Sequence, residues 1–138
     1  STLRQSNDTS VVHTSSAPVK THEIELARSY NRLRATGTVT RGDASQVGWE
    51  LRKNGVVIAS GGPAGGSLTM DTSPAESFVE GDLIQFYNYY SGSGPVATTA
   101  ANFRLYYDDV ITSIAGLTLD TNLIYDGSGL PTGTNTLP

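Results

Sequence analysis

Val47-Gly-Trp-Glu-Leu-Arg-Lys-Asn-Gly-Val-Val-Ile-Ala-Ser60 is the stretch that decides the fold class. Trp49 and Leu51 alternate with Glu50 and Arg52, the two-residue period of a strand that buries one face and wets the other. Asn54-Gly55 then places two residues that tolerate positive φ where a tight type I′ turn requires them. Val56 to Ala59 returns beside its partner, so the stretch reads as a β-hairpin.

Similar signals flank it. On the N-terminal side His22, Ile24 and Leu26 alternate with Glu23 and Glu25. Leu33, Ala35, Gly37 and Val39 alternate with Arg32, Arg34, Thr36, Thr38 and Thr40, which leaves a basic, hydroxyl-rich wet face. After the hairpin, Gly61-Gly62-Pro63-Ala64-Gly65-Gly66 reads as a flexible connector to a strand from Ser67 to Thr72. Glu80-Gly81-Asp82 turns the chain into Leu83 to Tyr90. Beyond the Ser91 to Pro95 loop, Val96 to Tyr107 puts Phe103, Leu105 and Tyr107 on one face. Short strands punctuated by Gly, Pro, Asn and Asp predict an all-β protein, an antiparallel β-sandwich or jelly roll of about seven to eight strands. Residues 110–125 are mixed: Ile111, Ile114 and Leu117 suit a helical turn, and Leu117-Thr118-Leu119 suits a strand.

Composition agrees. The chain has 138 residues, 37% apolar and 16% charged, with 15 glycines and many Ser and Thr. That is the balance of one β domain with polar loops rather than of a helical bundle. Cysteine is absent, so disulfides and thiolate metal sites are excluded. No run reaches membrane-span length, and the first 20 residues lack the apolar core of a signal peptide. Residues 1–70 carry a net +3 and residues 71–138 a net −7. Opposed halves can attract within the fold or between subunits. The few basic residues are matched locally by Glu23, Glu25 and Glu50, which disfavours nucleic acid as a partner.

Both ends are hydrophilic. Residues 1–20 offer only Leu3, Val11, Val12 and Val19 for burial, and residues 126–138 are dominated by Gly, Thr and Asn. The chain therefore divides into an extended N-terminal arm (1–20), a sandwich (21–125) and a C-terminal tail (126–138). Such arms are expected to be fixed by neighbouring molecules, with Leu3, Arg4, Val11, Val12 and Val19 as the contact residues.

The catalytic inventory is thin. The histidines are His13, in the arm, and His22, within a strand pattern, and there is no nucleophile elbow to pair with them. Asp71-Thr72-Ser73 matches the tripeptide of aspartic proteases, but Pro74 follows where a small residue is usual, and the segment also reads as a turn after a strand. Asp108-Asp109 and Asp120, Asn122 and Asp126 offer oxygen ligands without the spacing of a calcium loop. No cofactor, metal or enzymatic activity is expected. The tyrosine-rich group Tyr87, Tyr89, Tyr90 and Tyr106, with Phe86 and Tyr107, is the binding candidate. One ring set is expected in the core and another at a subunit contact, with carbohydrate stacking as the alternative.

Trp49-Glu-Leu-Arg-Lys-Asn-Gly-Val-Val-Ile-Ala59 and Val79-Glu-Gly-Asp-Leu-Ile-Gln-Phe86 together resemble units found in small β-sandwich virion proteins of tailed bacteriophages. The resemblance implies a non-enzymatic structural role in a virus particle, made in the host cytoplasm. A capsid decoration or cement protein, a homo-oligomer and most simply a trimer, bound to the major capsid or another virion protein, is the expected form. A tail-fibre or tail-tip domain that reads a receptor or carbohydrate is the alternative. The absence of a heptad repeat, which a fibre shaft would supply, favours the first.

Overall fold

A computed structural model of the protein describes residues 2–42, 46–93 and 97–107, together with two short strands at 113–114 and 117–118. The chain divides into two units, Ser1–Asp108 and Asp109–Pro138. In chain order the strands of the first are β1 (Thr2–Asn7), β2 (Val11–His13), β3 (Val19–Glu25), β4 (Arg34–Arg41), β5 (Gln46–Lys53), β6 (Val56–Gly65), β7 (Leu68–Thr72), β8 (Leu83–Ser91) and β9 (Thr98–Tyr107). The second contains a two-stranded antiparallel pair, β10 (Ser113–Ile114) and β11 (Leu117–Thr118), with Ile114 opposite Leu117.

The nine strands of the first unit form two antiparallel sheets, one ordered β1-β9-β4-β7 with β2 continuing along β9, the other ordered β3-β8-β5-β6. This is the expected β-sandwich. The hairpin closes as its sequence requires: Asn54 has φ 52° and Gly55 φ 87°, and Lys53 pairs with Val56 across them. Asn54 then holds a second turn. Its amide nitrogen donates to Asp82 (3.0 Å) and its side-chain oxygen accepts from the Leu83 N–H (2.9 Å), so the hairpin tip is tied to the entry into β8.

Inward positions follow the alternation. Ile24 and Leu26, Leu33, Ala35 and Val39, Trp49 and Leu51, and Phe103 and Leu105 are all buried. Phe86 and Phe103 meet between the sheets with ring centroids 5.5 Å apart and planes at 22°. Gly37 makes room for this stack, since a Cβ there would lie 2.9 Å from the Phe86 ring. Opposed charges meet inside the unit: Arg34 forks onto Asp71 (2.7 and 2.9 Å), Arg104 onto Asp8 (2.8 and 3.2 Å), and Lys53 reaches Glu76 at 3.2 Å.

The largest departure from expectation is at the N-terminus. Where the sequence predicts an extended arm, residues 2–7 and 11–13 pair within the chain. They are strands of the chain's own sheet, paired with β9 from Thr2↔Tyr107 to Asn7↔Phe103 and from Val11↔Ala100 to His13↔Thr98. Composition misleads here because the contacts are made by backbone and polar side chains rather than by apolar burial. The Gln5 amide donates to the Glu25 carbonyl (2.8 Å) and its oxygen accepts from the Ala27 N–H (3.0 Å), so one side chain mimics a strand partner for the end of β3. Asn102, at φ 57°, kinks β9 between the stretch facing β1 and the stretch facing β2.

A second departure is the glycine-rich run, which belongs to β6 rather than to a connector. Gly61 pairs with Trp49 and Ala64 with Val47. At Gly61 a Cβ would lie 2.5 Å from the Trp49 indole, so the glycine admits the ring rather than loosening the chain. The C-terminal tail at 126–138 lies outside the described residues.

The carboxyls of Asp8, Glu23, Asp71 and Asp82 are all held below their ordinary range. Hydrogen bonds dominate: from Arg104 to Asp8, from Gln85 and then Lys20 to Glu23, from Arg34 to Asp71, and from the Val79 N–H and then Asn54 to Asp82. Because the folded values lie below the unfolded ones, the stability these four groups confer is complete above about pH 4.5, near the unfolded carboxyl values. It drains away as pH falls through the folded values. A thermal melt at pH 3 should therefore show a lower midpoint than one at pH 5, and Asp82→Asn should shrink that difference.

Candidate binding surface

The outer face of the β3-β8-β5-β6 sheet carries the most organised set of exposed groups. On β8 the alternation turns Ile84, Phe86, Asn88 and Tyr90 inward and Tyr87 and Tyr89 outward, while Gln85, on the tyrosines' side, is itself buried. Register then sets Lys20 and Glu50 on either side of Tyr87, and Gly48 beside Tyr89. The Arg52 guanidinium sits 3.8 Å from the centre of the Tyr87 ring. Its Nε and an Nη both donate to Glu50 Oε1, at 3.0 and 2.6 Å, which holds the guanidinium over the ring. Tyr89 lies down across β5: a Cβ on Gly48 would come within 2.4 Å of its phenol end. At the other end Gln85 accepts from the Gly55 N–H (2.8 Å) and donates to Glu23 (2.8 Å), while Lys20 reaches the same Glu23 carboxylate at 3.0 Å.

The result is a patch of two tyrosines edged by paired charges. It contains donors, acceptors and aromatic surface at fixed positions, and Arg52 and Glu50 are each about three-quarters covered (24% and 22% exposed). Among the described residues, three or more His, Asp or Glu side chains nowhere converge as metal ligands would.

The sequence candidates scatter. Tyr87 and Tyr89 share this face, but Tyr90 points inward and is buried. Tyr106 lies on the opposite sheet, on β9 opposite Arg34, whose guanidinium is 5.3 Å from its ring. Tyr107 packs on Tyr30 with centroids 5.0 Å apart. Leu3 pairs with Tyr106, Arg4 sits at a register shift of β1, Val11 faces Ala100 and Val12 faces Thr99, so these four share one sheet edge, whereas Val19 lies in the other sheet opposite Asn88. Asp71 is engaged by Arg34 on an outer face. Asp108, Asp109, Asp120, Asn122 and Asp126 lie outside the described residues.

Sequence reasoning missed the partners of the tyrosines. Glu50 and Arg52 were legible as outward residues, but their proximity to Tyr87 depends on register. It also missed an interior polar chain. The Ser15 N–H donates to His13 Nδ1 (3.0 Å), which leaves the proton on Nε2, and that N–H donates to Asn88 Oδ1 (2.6 Å). Asn88 Nδ2 donates to Thr21 Oγ1 (2.8 Å), which lies 2.8 Å from His22 Nδ1, and His22 Nε2 donates to the Thr9 carbonyl (2.7 Å). Both histidines are thereby accounted for as ties between strands. The one available signal was Asn88 itself, a polar residue at an inward position of β8.

Compared with known proteins, the chain matches no family model and no curated sequence.

Proposed function

We propose that this chain is a non-enzymatic structural protein of a virus particle, of the capsid decoration or cement kind, and that it contacts its neighbours through the outer face of β3-β8-β5-β6. The observation that carries this reading is the Arg52–Tyr87 stack locked by Glu50. Tyr and Arg, preorganised and partly desolvated, are the side chains that dominate protein–protein contacts. One face of Tyr87 is already covered by the guanidinium, which favours a protein surface over a sugar ring there. The N-terminal segment does not contribute the draped arm that composition led one to expect, so the weight of the proposal falls on this face and on the resemblance of the hairpin and the Gly81-Asp82 turn.

The test is co-sedimentation of the purified protein with shells that lack it. Tyr87→Ala combined with Arg52→Ala should weaken capture at least tenfold, while circular dichroism and the melting midpoint stay close to the parent, since both side chains lie outside the core. Undiminished capture would remove the face from the proposal.

A second reading, carbohydrate or receptor recognition, rests on Tyr89, whose phenol end lies over Gly48. Gly48→Ala keeps the phenol but drives it off the sheet. On the carbohydrate reading this substitution should abolish binding on a glycan array; on the assembly reading the parent binds no glycan, and capture by shells is reduced only modestly.

A further inference from the structure

We propose that the β1–β2 segment, residues 2–13, is exchangeable between copies: it can leave its own sheet and dock in the same register on β9 of a second copy of this chain. The inference does not depend on the tyrosine face, and each can fail alone.

Three observations carry it. First, the segment is an outermost element of its sheet, its strands pair with β9 alone, and its described side chains add nothing to the hydrophobic core, whose members begin at Ile24. Val12 is 63% exposed. Opening residues 5–13 therefore costs little apolar burial.

Second, what it leaves behind is a specific acceptor. Asn88 is fully buried and loses His13, His22 loses the Thr9 carbonyl, Arg104 loses Asp8, and Glu25 and Ala27 lose the Gln5 amide. Buried polar groups left without partners are costly, so the vacated site favours refilling by a segment of matching sequence. A second copy supplies every one of these contacts unchanged. This is the condition under which strand exchange has almost no net energy cost and is decided by linker and concentration.

Third, the linker between the sheets is short. Thr14-Ser15-Ser16-Ala17-Pro18 joins His13 in one sheet to Val19 in the other. Six steps of chain reach about 20 Å, against a gap of about 10 Å between packed sheets. Removing three residues leaves about 10 Å of reach, so the closed form becomes taut while the exchanged form, with the linker extended between copies, does not. Short, strained hinges promote such exchange.

The chain has no cysteine, which makes the test direct. Val12 and Thr99 face each other across β2 and β9 on the outer side of the sheet. Full-length Val12→Cys and Thr99→Cys chains, denatured, mixed and refolded together at high concentration under oxidising conditions, should give a disulfide-linked dimer in excess of that formed by either variant alone. Deleting Ser15 to Ala17 from the full chain should shift the light-scattering mass from one copy toward two. Dimer in either experiment supports exchange. If the mixture gives no excess dimer and the shortened chain remains a folded monomer, the proposal is overturned; if the shortened chain does not fold, the mixture alone decides.

Discussion

Phe86→Ala should lower the unfolding free energy by about 3–5 kcal/mol, the range for removing a fully buried aromatic ring. Phe86 is completely buried, stacks on Phe103 of the facing sheet, touches the His22 ring at 5.8 Å and fills the space left by Gly37. The ring thus contributes both to its own burial and to the registration of one sheet on the other. Against a total stability of about 5–15 kcal/mol for a domain of this size, the loss should be plain in the midpoint of urea denaturation. Phe86→Leu, which retains most of the apolar volume, should lose clearly less. A loss below about 1 kcal/mol for the alanine variant would mean that the sheets do not pack through this residue.

The second large effect concerns a polar residue. Asn88→Leu keeps the volume at a fully buried position and removes two hydrogen bonds, leaving the His13 N–H without its acceptor, while the Thr21 hydroxyl keeps His22 Nδ1 and the Phe86 carbonyl. An unpaired buried polar group costs about 1–3 kcal/mol, so a loss in that range is expected. Its location is as diagnostic as its size. Because His13 is the inward tie of β2, hydrogen exchange should accelerate at residues 11–15 more than in β5 or β8. A uniform loss of protection would instead indicate that Asn88 supports the core as a whole.

Much of the fold was legible because strands with one wet face advertise themselves. Trp49 and Leu51, Leu33, Ala35 and Val39, and Phe103 with Leu105 were assigned their buried face from alternation, and all are buried. Asn54-Gly55 could be placed in its turn because few other residue pairs tolerate two consecutive positive φ angles. The glycine-rich run was misread because glycine reports permissiveness without its cause. At Gly61 the cause is the indole of Trp49, a residue twelve positions earlier.

The candidate surface was half legible. Tyr87 and Tyr89 were singled out by composition, but so were Tyr90 and Tyr106, which the fold sends to the interior and to the opposite sheet. Arg34 over Tyr106 and Arg52 over Tyr87 have the same chemistry on opposite outer faces. Only the latter adjoins a second outward tyrosine and a carboxylate neighbour on its own strand.

The order of apolar and polar residues, read locally, was enough to determine the fold class, the hairpin and the inward side of most strands. These depend on period and turn chemistry, which act within a few residues of chain. Tertiary structure alone decided where residues 2–13 go, which tyrosines share a face, and why Asn88 is buried. Those outcomes depend on pairings between positions as far apart as Asp8 and Arg104 or His13 and Asn88, whose partners no local pattern identifies.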